Sequence, residues 1–241
     1  MNNTAQIPAR LNDLQTRINQ AASEAGRDIN EITLVAVSKG HPSALVNAGY
    51  EAGLRVFGEN YAEEGKTKME DLSGLDGLQW HMIGHIQSRK ARLVSQEYDM
   101  IHSIDSLKIA KRIDRFASEH GKVIPGLLEF NISGEPTKHG WMASDPSSWS
   151  DLIEEVSHIA ELRNIEIRGL MTIAPYSSQP EDSRPYYQRL CQLQDYLGGK
   201  FPRISWHDLS MGMSSDFEVA IEEGATLLRI GEAIFGPRPP K

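Results

Sequence analysis

Ile32-Thr33-Leu34-Val35-Ala36-Val37-Ser38-Lys39 is the stretch whose reading decides the fold. It is apolar and rich in β-branched residues, and a run of about eight such residues reads as a buried parallel strand. It closes on a lysine, a residue almost never fully buried unless paired. Gly40-His41-Pro42 then breaks the strand. In parallel α/β proteins, ligands bind at the carboxyl ends of strands. Lys39 is therefore the first candidate for a chemical residue.

Working outward, Ile7, Leu11, Leu14, Ile18 and Ala22 recur at helical spacing before the stretch, in a helix that Gly26 ends. After it, further strands are expected at 55–60, 79–84, 100–105, 125–132, 165–173, 205–211 and 226–231. Helices are expected between them: 43–52 capped by Ser43, 61–71, 87–94, 106–120, 147–162, 181–197 and 214–223. A polar loop is expected over 133–145. Eight strands alternating with helices give the α/β class and a single (β/α)8 TIM barrel. The alternation uses the whole chain, so residues 1–241 are read as one domain. A doubly wound open sheet is the alternative, but Ser38-Lys39-Gly40-His41 is no Gly-rich phosphate turn.

The chain has 241 residues, 39% of them hydrophobic, and a formal net charge of -8. With no long basic run, this argues against nucleic acid and anionic membranes as partners. No stretch reaches the roughly 20 apolar residues of a membrane span, and Met1 to Arg27 lacks the apolar core of a signal peptide. Cys191 is the one cysteine, so no intrachain disulfide can form. A soluble, cytoplasmic monomer is expected.

At the other end of the chain, Leu209-Ser210-Met211-Gly212-Met213-Ser214-Ser215-Asp216 leads from the seventh strand into a helix. Ser215 with Glu218 has capping-box spacing, and helix N-termini attract anions. Arg229-Ile230-Gly231-Glu232 ends the eighth strand. Loops after strands seven and eight are the usual barrel phosphate site. Each fragment alone is ordinary capping or a surface arginine. Together, on the rim that carries Lys39, they predict a phosphate near Ser210, Ser214 and Gly231. Only about one free lysine in 10³ is neutral at pH 7; strand-end burial and a cation such as Arg229 would raise that fraction. A lysine beside a phosphate cradle suggests a Schiff base with a phosphorylated carbonyl compound. That compound is either pyridoxal phosphate or the sugar phosphate of an aldolase.

Val35-Ala36-Val37-Ser38-Lys39, Phe57-Gly58-Glu59-Asn60-Tyr61, Trp80-His81-Met82-Ile83-Gly84, Gly169-Leu170-Met171-Thr172, Leu209-Ser210-Met211-Gly212-Met213-Ser214 and Arg229-Ile230-Gly231-Glu232-Ala233-Ile234-Phe235-Gly236 occur in this order. The set resembles the pyridoxal phosphate homeostasis protein family over nearly the whole chain. The resemblance implies an alanine racemase N-terminal-domain-like barrel of the fold-type III pyridoxal phosphate arrangement. It implies that Lys39 forms the internal aldimine and that Arg229 stands beside the pyridine nitrogen. It puts Ser210, Ser214 and the backbone of Ile230 and Gly231 on the phosphate, and Asn60 and Met171 around the ring. His85, Arg89 and Ser215 depart from the family's usual residues.

An arginine at the ring nitrogen disfavours its protonation and weakens the cofactor as an electron sink. The racemases with this barrel add a β-domain that supplies an acid–base tyrosine. Here the chain ends soon after the eighth strand, so that domain is expected to be absent and the cofactor face open to water. The expectation is a non-catalytic carrier that buffers or delivers pyridoxal 5'-phosphate to apo-enzymes and affects amino-acid balance. A weak amino-acid racemase and a Schiff-base aldolase are the enzyme alternatives. His81, His102 and His207, read as strand residues, lack metal-ligand spacing, so no metal is expected. Lys138, in the 133–145 loop, and Arg89-Lys90-Ala91-Arg92 are read as solvated, Trp141 and Trp149 as packing, and Cys191 as unreactive.

Overall fold

The computed structural model describes residues 3–238; the outermost residues of the expected domain, 1–2 and 239–241, lie outside the described ones. Strands β1 (Thr33–Val37), β2 (Val56–Glu59), β3 (Gln79–Met82), β4 (Met100–Ile104), β5 (Ile124–Asn131), β7 (Ile165–Met171), β8 (Asp208–Ser210) and β9 (Leu227–Ile230) pair in parallel. The β1–β9 and β4–β5 pairings close the ring, so the expected eight-stranded barrel is present. A short parallel strand absent from the sequence reading, β6 (Trp141–Met142), pairs with the end of β5 within the 133–145 loop.

Alternation along β1 shows how the barrel is filled. Ala36 joins the outer core between strands and helices. Val35 and Val37 turn inward and pack with Ile83, Met100, Leu127, Met171 and Leu227. This period of two continues past the strand end and sets Lys39 over the barrel mouth. Outside, α1 (Asn3–Glu24) buries Ile7, Leu11, Leu14, Ile18 and Ala22. It packs on α2 (Ser43–Glu51), α8 (Phe217–Glu222) and α9 (Glu232–Phe235). Each large aliphatic residue so buried contributes roughly 1.5–3 kcal/mol. The other helices are α3 (Ala62–Asp71), α4 (Ala91–Glu97), α5 (Leu107–Glu119), α6 (Leu152–Ala160) and α7 (Arg184–Lys200).

Several local expectations are corrected. Ser43 does not cap α2: Pro42 holds the cap position, and the Ser43 hydroxyl donates to Asp71 at 2.5 Å. The expected helix 214–223 shrinks to α8, with Asp216 rather than Ser215 at its start. Asp216 accepts from the Met213 N–H at 2.7 Å, so three residues before α8 fold into a turn instead of a helical turn. His207 precedes β8 and is exposed beside Asp208. Lys138 is not freely solvated: it pairs with Glu135 and donates to the Ile173 carbonyl at 3.0 Å. Lys90 and Arg92 in the basic cluster pair with Glu63 and Glu119. Trp149 is buried, and Trp141 packs on Phe130. Burial raises the Cys191 thiol to about 11, as fits an inert cysteine.

Candidate functional site

Lys39 opens onto a cleft of about 530 Å³ at the carboxyl ends of the strands, within the size range of small-ligand sites. Asn60, Ser214, Arg229 and Gly231 line the same cleft, so five of the eight sequence-predicted site residues converge there. Gly40 follows the lysine at φ 74°, a left-handed conformation in which a side chain would be strained. Its N–H donates to Glu64 at 2.5 Å. Lys39 itself takes part in no hydrogen bond or salt bridge among the described residues. Burial lowers its pKa, and Arg238 and Arg229 lower it further, against weaker opposition from Glu59 and Glu64. The lysine thus leans toward the neutral, nucleophilic amine.

Below it lies a second lysine, and this one is fully paired. Lys68 is buried and donates to the Ser38 carbonyl (2.7 Å), to Glu59 (2.6 Å) and to Glu64 (2.7 Å). Ser38 Oγ also donates to Glu59, at 2.6 Å. Residues on both sides of Lys39 are therefore pinned through Glu59, Glu64 and Lys68, none of which the sequence reading singled out as functional.

The remaining three predicted residues lie beneath the cleft. Met171 and Ile230 are fully buried, Met171 inside the barrel and Ile230 in the outer core. Ser210 is fully buried too, and its hydroxyl serves Arg229. Arg229 Nη1 donates to Ser210 Oγ at 2.5 Å, and Nη2 donates to the Thr172 carbonyl at 2.8 Å. Ser210 Oγ in turn meets His102 Nδ1 at 2.8 Å, and His102 Nε2 meets His81 Nδ1 at 3.0 Å. One set of roles satisfies the chain: Ser210 gives its proton to His102, and His102 gives its own to His81. Both imidazoles are then neutral. Burial, with Arg168 contributing, lowers His81 to about 4; burial, with His81 and Arg229 contributing, also holds His102 well down. The strand histidines are thus satisfied interior residues that orient Arg229.

The turn before α8 carries Ser214, whose Oγ accepts from the Ala233 N–H at 3.4 Å and keeps its own proton to donate. Asp216 holds this turn, accepting from Ser183 Oγ (2.9 Å) and Tyr187 O–H (2.8 Å) as well as from Met213. Gly212 has φ 88°, and a Cβ there would meet the Ala220 Cβ at 2.6 Å, so the turn needs a glycine. The sequence reading missed two polar residues on the cleft wall. Arg238 adds a cation, and His41 is buried with its Nδ1 unpartnered. Lys39, Arg229 and Arg238 against Glu232 give the cleft a cationic surplus.

Residues 10–239 match the family described as "Alanine racemase, N-terminal domain". A pyridoxal phosphate homeostasis protein of Aquifex aeolicus (strain VF5) is 42% identical over 229 residues, covering 95% of this chain and 97% of that protein. The chain belongs to the pyridoxal phosphate homeostasis protein family. PipY of Synechococcus elongatus PCC7942, solved without and with PLP bound, superposes with TM-scores of 0.85 and 0.84 at 36% and 35% identity. Each comparison covers 96% of this chain and 100% of that one. An alanine racemase from Streptomyces coelicolor A3(2) shares the fold, with a TM-score of 0.72 at 14% identity. It spans 98% of this chain but only 59% of its own. Family membership thus agrees with the resemblance read from the motifs.

Proposed function

We propose that this protein binds pyridoxal 5'-phosphate at Lys39 and buffers or delivers it, serving cofactor homeostasis without catalysing turnover. The observation that carries the reading is a half-buried lysine with no partner and a lowered pKa, in a cleft with Ser214, Gly231 and two arginines. Family membership and the PLP-bound PipY structure support it.

The cleft fits such a ligand on its own chemistry. Its cationic surplus suits a phosphate dianion, and the unpartnered His41 Nδ1 offers one more polar contact. When bound, the cofactor supplies an aldehyde that condenses with amines and delocalises the electrons of the adduct. Lys39 presents the amine. Ser214 O–H and the Gly231 backbone would hold the phosphate, and Asn60 would border the ring. Arg229, kept in place by Ser210 and Thr172, would keep the ring nitrogen unprotonated and so restrain carbanion chemistry. Met171 and Ser210 act from below, as floor and as the support of Arg229. Acceptors of the released cofactor would be PLP-dependent apo-enzymes, and amino-acid balance would follow from their loading.

The test is spectroscopic. The purified protein should be yellow, and borohydride should abolish the absorbance and fix the cofactor on Lys39. Lys39→Ala should lose the colour and keep its circular dichroism spectrum. A protein that takes up no pyridoxal phosphate refutes the binding claim. Rapid racemisation of L-alanine by the loaded protein refutes the non-catalytic one.

A further inference from the structure

A second group of chemical side chains stands on the same rim, toward the loops after β3, β4 and β5. His85 follows β3, Asp105 follows β4, and His139 lies in the loop after β5. His85 Nδ1 is 2.6 Å from Asp105 Oδ2. The His85 and His139 rings stack with centroids 3.8 Å apart and planes 10° from parallel. One donor atom from each of the three residues lies within 4.8 Å of the other two. The Asp105 carboxylate is only 7% exposed, and its other partner is the adjacent Ser106 hydroxyl.

An independent observation points into the same space. Glu129, on β5, is 5% exposed, and its Oε2 has no hydrogen-bond partner. A buried carboxylate oxygen without a donor is costly and calls for explanation. Glu129, His85 and His139 all line one cleft of about 530 Å³. Burial raises the Glu129 carboxyl to about 7, with Asp105 adding like-charge repulsion and Arg229 opposing it, and among the described residues His85 is the one ionisable base hydrogen-bonded to Asp105.

We propose that His85, Asp105 and His139 form a binding site for a divalent transition-metal ion of the zinc type, with Glu129 facing it across the cleft. Two imidazoles and one carboxylate are the donor set of many three-ligand zinc sites, which leave further positions for water or a ligand. Zinc–donor bonds of about 2.0–2.2 Å put neighbouring donors roughly 3.5 Å apart. The present spread closes to that by a swing of the exposed His139 side chain on its loop. The ion would offset the Asp105–Glu129 repulsion and give the unpartnered Glu129 oxygen a bound water to accept from. It would also tie the 133–145 loop to the ends of β3 and β4. The site shares no residue with the set predicted to hold the cofactor, so it stands apart from the reading of Lys39.

The experiment uses the full-length protein, stripped with chelator and free of pyridoxal phosphate. Zinc chloride is titrated by calorimetry and by competition with a colorimetric chelator. Cobalt(II) serves as the spectroscopic probe. One ion per chain with micromolar or tighter affinity is expected, with cobalt d–d bands in the visible and a rise in melting temperature on adding zinc. His85→Ala and His139→Ala should each weaken zinc binding by about 10–100-fold or more and abolish the melting shift. Glu129→Gln should weaken it less, by about tenfold. Circular dichroism and the metal-free melting temperature identify any variant that has not folded. His139→Gln, a loop substitution far from the core, replaces His139→Ala in that case. Binding no tighter than millimolar, or binding unchanged in both histidine variants, overturns the proposal.

Discussion

Replacing Lys68 by methionine should damage both the fold and the site. Lys68 Nζ makes three short contacts, to the Ser38 carbonyl, Glu59 and Glu64, within a pocket that leaves its side chain 4% exposed. Methionine keeps the unbranched stem as far as Cε and removes the ammonium group. Glu59 is then left fully buried with the Ser38 hydroxyl as its one remaining donor, while its Oε2 already has none. Breaking a buried ion pair from one side costs about 3–5 kcal/mol, a large share of the roughly 5–15 kcal/mol that holds a domain folded. For a chain of this size that corresponds to a fall of about 6–20 °C in Tm. Urea unfolding reads the same loss as a lower midpoint with an unchanged slope. The double variant Glu59→Gln/Lys68→Met removes both charges, so it should recover a good part of the loss, and the cycle of four proteins isolates the coupling. A cofactor readout follows from the position of Ser38 and Gly40 on either side of Lys39. Affinity for pyridoxal phosphate, followed by absorbance, should fall in Lys68→Met more than global stability explains. A Lys68→Met protein that melts within 2 °C or so of the parent and binds cofactor equally well refutes the reasoning.

Three other changes test separate parts of the site. Asp216→Ala deprives Met213 N–H, Ser183 and Tyr187 of their shared acceptor; it should cost about 2–4 kcal/mol in urea titration and weaken inorganic phosphate as a competitor of cofactor uptake. Arg238→Ala removes a cation that depresses Lys39, so the pH midpoint for Lys39 modification by an amine-reactive aldehyde should rise, as mapped by mass spectrometry after reduction. His81→Gln tests the linkage between its lowered pKa and stability. In the fold His81 resists protonation down to about 4, whereas unfolded it takes a proton near 6.5. The unfolded chain therefore binds more protons in that window, and stability falls as pH drops through it, by up to about 3 kcal/mol. The His81→Gln protein should lose that part of the acid dependence when the two urea midpoints are compared from pH 7 to pH 4.5.

The barrel was legible because its signal is periodic. Val35 and Val37 face inward and Ala36 outward, and apolar runs of that kind recur eight times in alternation with helices, the count that an eight-stranded barrel uses. Lys39, Ser214, Arg229 and Gly231 were legible because they sit at or just past strand ends, where position in the chain predicts position on the rim, whereas Asn60 came from the motif resemblance alone. The turn before α8 was misread because serines there match a capping pattern, while the actual organiser, Asp216, reaches back three residues and across to Ser183 and Tyr187. Arg238 was invisible for another reason: no local pattern says that a tail arginine returns to the side of Gly40. The same holds for His85, Asp105 and His139, whose spacing in the chain resembles no metal motif because each comes from a different strand end.

With Lys39 as the proposed reactive amine, the two lysines beside Ser38 show why burial alone would not identify it. Lys68 is the more deeply buried, and a rule based on burial would select it. Its ammonium group, however, directs its three donors to two carboxylates and a carbonyl and has none left to face the cleft. Lys39 is less buried, yet Arg238 and Arg229 outweigh Glu59 and Glu64 around it, and it has no acceptor to hold its ammonium form. The fold spends its carboxylates one layer down, where they fix the backbone, and withholds them from the amine that faces the cleft. An added acid near Lys39 should therefore be harmful. Ile173→Asp, a substitution at a 39% exposed residue on the cleft wall, should raise the pH needed for cofactor uptake. Uptake with an unchanged pH midpoint in that variant would mean that the reactivity of Lys39 does not depend on its lack of a bonded anionic partner.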